Sequence, residues 1–321
     1  YLTGSNGSIK YFSDGKGRKL ELSEIYEAPT SGITLQLSID LDLQLAIENE
    51  LDNVVAKYNP NSVIALAMNP NTGEILASSA RPNFNSNNYK AYNKEVINRN
   101  LPIWMTFEPG STMKITTYTA AINEGLVNIF EDKYTDTGKI NVDGATLHCW
   151  KRGGHGLQTY LEVIENSCNT GFVSLGLMLQ KEKLMEYIKE LGFGKKTGID
   201  LNGESTGILF DINKMGNVEL ATTAFGQGIS VTPIQQVRAV SAIVNGGTLY
   251  TPYIVKNFLE PETNTIIKSI SPKGTKNIIK KETSELVKYA LESVVAKGSG
   301  HNAYIENYRI GGKTGTAQTV E

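Results

Sequence analysis

Three short motifs carry the groups that acyl transfer requires. The first is Ser111-Thr112-Met113-Lys114, an S-x-x-K that follows Glu108-Pro109-Gly110, where a helix should begin. A serine at a helix N-terminus is surrounded by free backbone N–H groups and the positive end of the helix dipole. Three residues is about one turn, so Lys114 shares the face of Ser111. A lysine desolvated beneath a serine is neutral enough to take its proton. The second motif, Ser167-Cys168-Asn169, begins 56 positions later. It offers another hydroxyl to relay a proton and a carboxamide to hold a substrate amide. The third is Lys313-Thr314-Gly315-Thr316, on a β-like stretch (Ile305–Ala317) where Gly311-Gly312 permits close backbone approach. A strand edge there would pair with an extended peptide, with Lys313, Thr314 and Thr316 receiving its terminal carboxylate.

Each pattern also occurs elsewhere in the chain. Ser13-Asp14-Gly15-Lys16 repeats the first in what reads as a surface turn. Ser86-Asn87-Asn88 repeats the second in a loop. Lys196-Thr197-Gly198 repeats the third, but Ile199 follows where a hydroxyl should stand. What separates the chosen set is its order: S-x-x-K at a helix start, then S-x-N, then K-T-G-T on a late strand.

The elements that must position these groups are legible in the hydrophobic periodicity. Residues 1–32 read as hairpins of a small accessory region, and 33–321 as the main domain. Ile33–Ile39 alternates like a half-buried strand, and Asp40–Tyr58 has helical spacing. Val63–Met68 and Glu74–Ser78 form a hairpin around Asn69-Pro70-Asn71-Thr72-Gly73. Residues 81–110 read as loop, Ser111–Glu124 as helix, 132–158 as irregular, and 159–245 as mostly helical with breaks at Gly192–Gly198 and Asn202–Gly207. Thr248–Phe258 and Ile266–Ile270 are β-like, and Glu282–Ala296 is a helix. The pattern predicts an α+β fold, a mostly antiparallel sheet beside a helical region.

Composition bounds the function. The chain has 321 residues, 40 % hydrophobic and 20 % charged, with a net charge of −2. That balance gives no basic surface for nucleic acid or an acidic membrane. No window approaches the roughly 18 apolar residues of a membrane span. The sequence opens on Tyr1 and closes five residues after the K-T-G-T motif, which reads as a piece of a longer protein.

The motif set resembles the class B penicillin-binding proteins, and the resemblance covers nearly the whole chain. It extends to Asp40-Leu41-Asp42-Leu43-Gln44, to Asn69-Pro70-Asn71-Thr72-Gly73-Glu74-Ile75-Leu76-Ala77, and to Phe107-Glu108-Pro109-Gly110. Ala224-Phe225-Gly226-Gln227-Gly228 and Thr232-Pro233 belong to it too. Cys149-Trp150-Lys151-Arg152-Gly153-Gly154-His155-Gly156 followed by Ser167-Cys168-Asn169 looks most like the sporulation-specific branch or a close elongation-type relative. The resemblance implies a penicillin-binding/β-lactamase-like transpeptidase fold, with further C-terminal strands and a helix after the residues present. It implies that Ser111 is the nucleophile and Lys114 its base. Ser167 would relay a proton to the leaving group, and Asn169 would hold the substrate amide. Lys313, Thr314, Gly315 and Thr316 would bind substrate, and the N–H groups of Ser111 and Thr316 would form the oxyanion hole. Expected partners are peptidoglycan stem peptides, β-lactams and a membrane glycosyltransferase. The expected place is the extracytoplasmic face of the membrane, with the anchor in a preceding segment.

Cys149, His155 and Cys168 form a ligand-like set that Asp136 could complete, with Asp132 and Asp143 weaker for the fourth place. Two thiolates, an imidazole and a carboxylate suit a tetrahedral structural zinc, and some members of the resembled family carry zinc at such a pattern. A disulfide across 19 positions and two free thiols remain open alternatives. His148 and His301 read as surface histidines. For function, a serine β-lactamase and a non-catalytic β-lactam sensor share the three motifs.

Overall fold

A computed structural model describes residues 2–21 and 24–317. Near the start, β1 (Ser8–Lys10) and β2 (Ile25–Glu27) pair antiparallel as an exposed ribbon. β3 (Thr34–Leu37) leads into α1 (Leu41–Tyr58). The Asp40 carboxylate caps that helix by accepting the Leu43 N–H, and left-handed Asn59 ends it.

β4 (Val63–Met68) and β5 (Ile75–Arg81) form the expected hairpin, with the Asn69 side chain holding the turn through the Asn71 N–H. β5 runs on to Arg81, whose guanidinium pairs with Glu48 and Asp52 of α1. The short helices α2 (Lys94–Asn98) and α3 (Leu101–Trp104) interrupt the stretch read as loop. α4 (Lys114–Asn123) follows a single 3₁₀ turn at Gly110–Thr112.

The 132–158 stretch is not irregular. β6 (Lys133–Asp136) pairs with β9 (Gly156–Thr159), and β7 (Lys139–Val142) pairs with β8 (Ala145–His148). The missed signal was Asp143-Gly144. Both residues take positive φ, +46° and +86°, in the tight two-residue loop that joins β7 to β8.

The helical region comprises α5 (Tyr160–Glu165), α6 (Asn169–Glu190), α7 (Asn217–Ala224), α8 (Pro233–Val244) and α9 (Lys281–Lys297). Its core runs through Tyr118 on α4, Phe172 and Leu175 on α6, Ala239 on α8, and Val287 and Val294 on α9, all fully buried. Each large apolar side chain removed from water in this way contributes about 1.5–3 kcal/mol. Gly176 lets α6 and α7 meet, since a Cβ there would lie 2.5 Å from that of Ala224.

β10 (Leu249–Tyr250) pairs with β13 (Gly274–Thr275). β11 (Val255–Leu259) is flanked by β3 and β12 (Ile266–Ser269). Every strand pair among the described residues is antiparallel, but the pairs are split among small ladders.

Residues 305–317 form no strand. Their backbone is engaged by other elements. The Gly312 N–H donates to the Leu291 carbonyl of α9, and Arg309 pairs with Glu292 of the same helix. The K-T-G-T motif therefore follows a residue bonded to α9, and its Gly315 and Thr316 lie against the turn that precedes α4.

Candidate active site and adjoining ligand cluster

Gly110 sets the position of Ser111. Its φ is +51°, its N–H donates to the Gly226 carbonyl at 2.9 Å, and a Cβ on it would lie 2.2 Å from the Thr316 carbonyl oxygen. Only glycine admits two backbones that closely. The 3₁₀ turn then presents the half-buried Ser111, and Lys114 follows one turn later with no exposed surface. The Lys114 amine donates to the Ser167 carbonyl at 2.8 Å, to Ser167 Oγ at 3.2 Å and to Asn169 Oδ1 at 2.6 Å. It also lies 5.3 Å from the Phe172 ring centroid. Burial, then the nearby Lys313 charge, pushes its pKa down to about 7, partly opposed by Cys168 and Cys149.

Ser167 follows α5 in a tight turn at φ +50°, unusual for a non-glycine residue. Its hydroxyl donates to Ser111 Oγ at 3.2 Å and accepts from Lys313 Nζ at 2.8 Å. Burial pushes Lys313 down to about 8. The serine and the buried amine are thus joined through Ser167 Oγ. A cavity of about 410 Å³ opens over Ser111, Ser167, Asn169, Thr314 and Thr316. Gly315 passes beside the helix start, where a Cβ would lie 3.0 Å from Thr112 Cγ2.

The three chance repeats lie elsewhere. Ser13–Lys16 is a turn whose Asp14 carboxylate accepts from the Lys16 and Arg18 N–H groups. Ser86-Asn87-Asn88 opens an exposed 3₁₀ segment. Thr197 is held by Glu204.

The same cavity is bordered by His148, Trp150, Phe225, Gln227 and Ser299, none singled out for chemistry from the sequence. The His148 carbonyl accepts from Asn169 Nδ2 at 3.2 Å, so this surface histidine also supports the S-x-N motif. Glu108 lies three residues before Ser111. Its carboxylate accepts the Gly228 N–H at 2.9 Å and clasps the 225–228 loop beneath Ser111. These contacts span 21 to 120 positions, beyond the reach of local spacing.

Asp136, Cys149, His155 and Cys168 converge behind the S-x-N turn, with their ligand atoms within 4.8 Å of one another. The cysteines are unbonded, their sulfurs 3.9 Å apart. Cys149 Sγ is 3.6 Å from His155 Nδ1, which is 2.7 Å from Asp136 Oδ2. The hydrogen bond between the sulfurs pushes the Cys149 thiol down and the Cys168 thiol up, with burial adding to the rise. Burial works to raise Asp136, but donation from the Gly138 N–H, His155 and Thr170 outweighs it and holds the carboxyl well below its usual range. Asp132 is committed to the Asn128 N–H and Asp143 to Asn217, so neither joins the cluster.

The family model of the penicillin-binding protein transpeptidase domain matches residues 63–321. The chain belongs to that family. As a penicillin-binding transpeptidase domain it is 58 % identical over 321 residues to stage V sporulation protein D of Bacillus subtilis, covering 100 % of this chain and 50 % of that protein. It is 32 % identical to peptidoglycan D,D-transpeptidase FtsI of Escherichia coli, covering 100 % of this chain and 52 % of that one. The chain spans about half the length of the curated relatives it matches. Penicillin-binding protein 3 of Mycobacterium tuberculosis, solved with ampicillin, superposes with a TM-score of 0.85 at 27 % identity, over 92 % of this chain and 66 % of that one. The α+β transpeptidase fold expected from the motif order is therefore the fold of this domain. Among the described residues no helix is long and apolar enough to cross a membrane.

Proposed function

We propose that this penicillin-binding transpeptidase domain is a serine D,D-transpeptidase that cross-links peptidoglycan stem peptides and is acylated by β-lactams. The observation that carries the reading is the chain of groups Lys114–Ser167–Ser111, with Lys313 on the same Ser167 oxygen and a cavity above them. Ser111 Oγ attacks the carbonyl of the penultimate D-alanine. Its proton passes through Ser167 Oγ to the neutral Lys114 amine. The backbone N–H groups of Ser111 and Thr316 receive the developing oxyanion. The C–N bond breaks and terminal D-alanine departs with a proton returned through Ser167. Lys313, Thr314 and Thr316 hold the substrate carboxylate, Gly315 permits its close approach, and Asn169 holds the substrate amide. An amine of a second stem peptide then attacks the Ser111 ester, forming the new amide and freeing the serine.

The 58 % identity to stage V sporulation protein D supports a place in sporulation-linked wall synthesis. The substrate puts the domain on the extracytoplasmic face of the membrane. There a membrane anchor and a glycosyltransferase supplying glycan strands are its expected company.

A structural zinc ion fits the Asp136–Cys149–His155–Cys168 cluster. Its ligand atoms lie within 4.8 Å of one another and supply two sulfurs, an imidazole nitrogen and a carboxylate oxygen, the donor set of a structural zinc site. Four protein ligands leave no open position, so the ion would hold β6, the 149–155 loop and the S-x-N turn together.

Intact-mass analysis after incubation with benzylpenicillin tests the reading. The expected result is one penicilloyl adduct, mapped to the Ser111 peptide and persisting for many minutes. An adduct that turns over within seconds would instead make the protein a β-lactamase. Stem-peptide cross-linking abolished by Ser111→Ala separates the enzyme from a β-lactam sensor.

A further inference from the structure

The chemistry above leaves Trp150 without a part. Trp150 is 62 % exposed, yet its indole is held by two contacts at the rim of the cavity. The ring stands edge-on to the His155 imidazole, with centroids 5.3 Å apart and planes at 64°. Its Nε1–H donates to the Asn166 carbonyl at 2.9 Å.

That carbonyl belongs to the peptide unit between Asn166 and Ser167. The N–H of the same unit donates to the Ile164 carbonyl at 3.1 Å. Both polar ends of one peptide plane are therefore tied, and a tied plane fixes the torsions on either side. One of them is the Ser167 φ of +50°, a conformation that non-glycine residues keep only when neighbours impose it. The Asn166 side chain is held too, its Nδ2 donating to Gln158 Oε1 at 3.0 Å. Rotating that plane would carry Ser167 Oγ away from Ser111, Lys114 and Lys313.

We infer that Trp150 is a positioning residue for acyl transfer: its indole N–H locks the Asn166–Ser167 peptide plane, and with it the hydroxyl that links Lys114 to Ser111. The inference rests on the proposed serine chemistry. The indole also stands against His155 of the ligand cluster behind the turn.

The test is stopped-flow acylation by a fluorescent penicillin, resolving the non-covalent constant K from the first-order acylation rate. Trp150→Phe keeps an aromatic ring without the donor. Replacing Trp150 by β-(3-benzothienyl)alanine keeps the bicyclic shape and loses the N–H alone, and serves if the Phe variant folds poorly. The expected result is a first-order rate down roughly fivefold, the loss of one net hydrogen bond, with K within about twofold and the melting temperature held. An unchanged rate overturns the inference. So does a change in K alone, which would make Trp150 a ligand contact, or a joint loss of rate, binding and melting temperature, which would make it merely structural. A wild-type protein that takes no penicillin at all would instead remove the parent reading, and this one with it.

Discussion

Lys114 and Lys313 share one acceptor, since both amines donate to Ser167 Oγ, at 3.2 and 2.8 Å. Burial lowers both amines, Lys114 to about 7 with the nearby Lys313 charge adding to its fall, and Lys313 to about 8. The pair can then divide the work at neutral pH, one amine neutral to accept a proton and the other charged to hold a carboxylate.

The pH profile of acylation follows from that division. The neutral fraction of Lys114 rises as pH passes about 7, so the rate climbs there. The charged fraction of Lys313 falls as pH passes about 8, so carboxylate binding weakens there. The acylation rate over K should form a narrow bell between these values, its limbs belonging to the pair rather than to either lysine. A flat profile from pH 6 to 9 would contradict the assignment.

Lys114→Met should reduce acylation by about 10²–10⁴-fold, the range of a lost general base. The fold should survive, because methionine fills the space and removes a desolvated amine. Ser111→Ala should give no adduct. Adduct mass and near-ultraviolet circular dichroism check both, and normal acylation in the Lys114 variant would mean that another group accepts the proton.

Gly226 tests the floor of the site. At φ +90°, a Cβ there would lie 2.0 Å from the Gly110 carbonyl oxygen. Gly226→Ala should cost about 2 kcal/mol or more, lowering the melting temperature by several degrees and slowing acylation as the Ser111 turn shifts. Gly125→Ala is the control. Its φ is +69° but the added carbon meets nothing within 4 Å, so it should cost less and leave acylation unchanged.

Metal content decides the ligand cluster. Protein purified without added metal should carry about one equivalent of zinc by elemental analysis, and Cys149→Ala should lose it. Chelation should lower the melting temperature and slow acylation, because the ion would brace the turn that carries Ser167. Less than roughly a tenth of an equivalent, with both thiols freely titratable, would leave two free cysteines and no ion.

Local chemistry made part of this site legible. Pro109-Gly110 before Ser111 announced a helix start, and three residues of helix put Lys114 beneath the serine, because one turn is a local geometry. The order S-x-x-K, S-x-N, K-T-G-T and the C-W-K-R-G-G-H segment carried the family. What the sequence could not decide was which surfaces meet. Asp143-Gly144 is a hairpin signal that went unread in a stretch without clear alternation. The 305–317 segment has strand composition but takes its backbone partner from α9, because a strand depends on the neighbour available and not on its own residues. The joining of Lys114 to Ser111 through Ser167, the clasp of Glu108 on Gly228 and the tether from Trp150 to Asn166 depend on backbone angles and on packing between distant segments. Periodicity reports only which face of an element is apolar. The long-range contacts were fixed when those faces packed, so they belong to the tertiary structure alone.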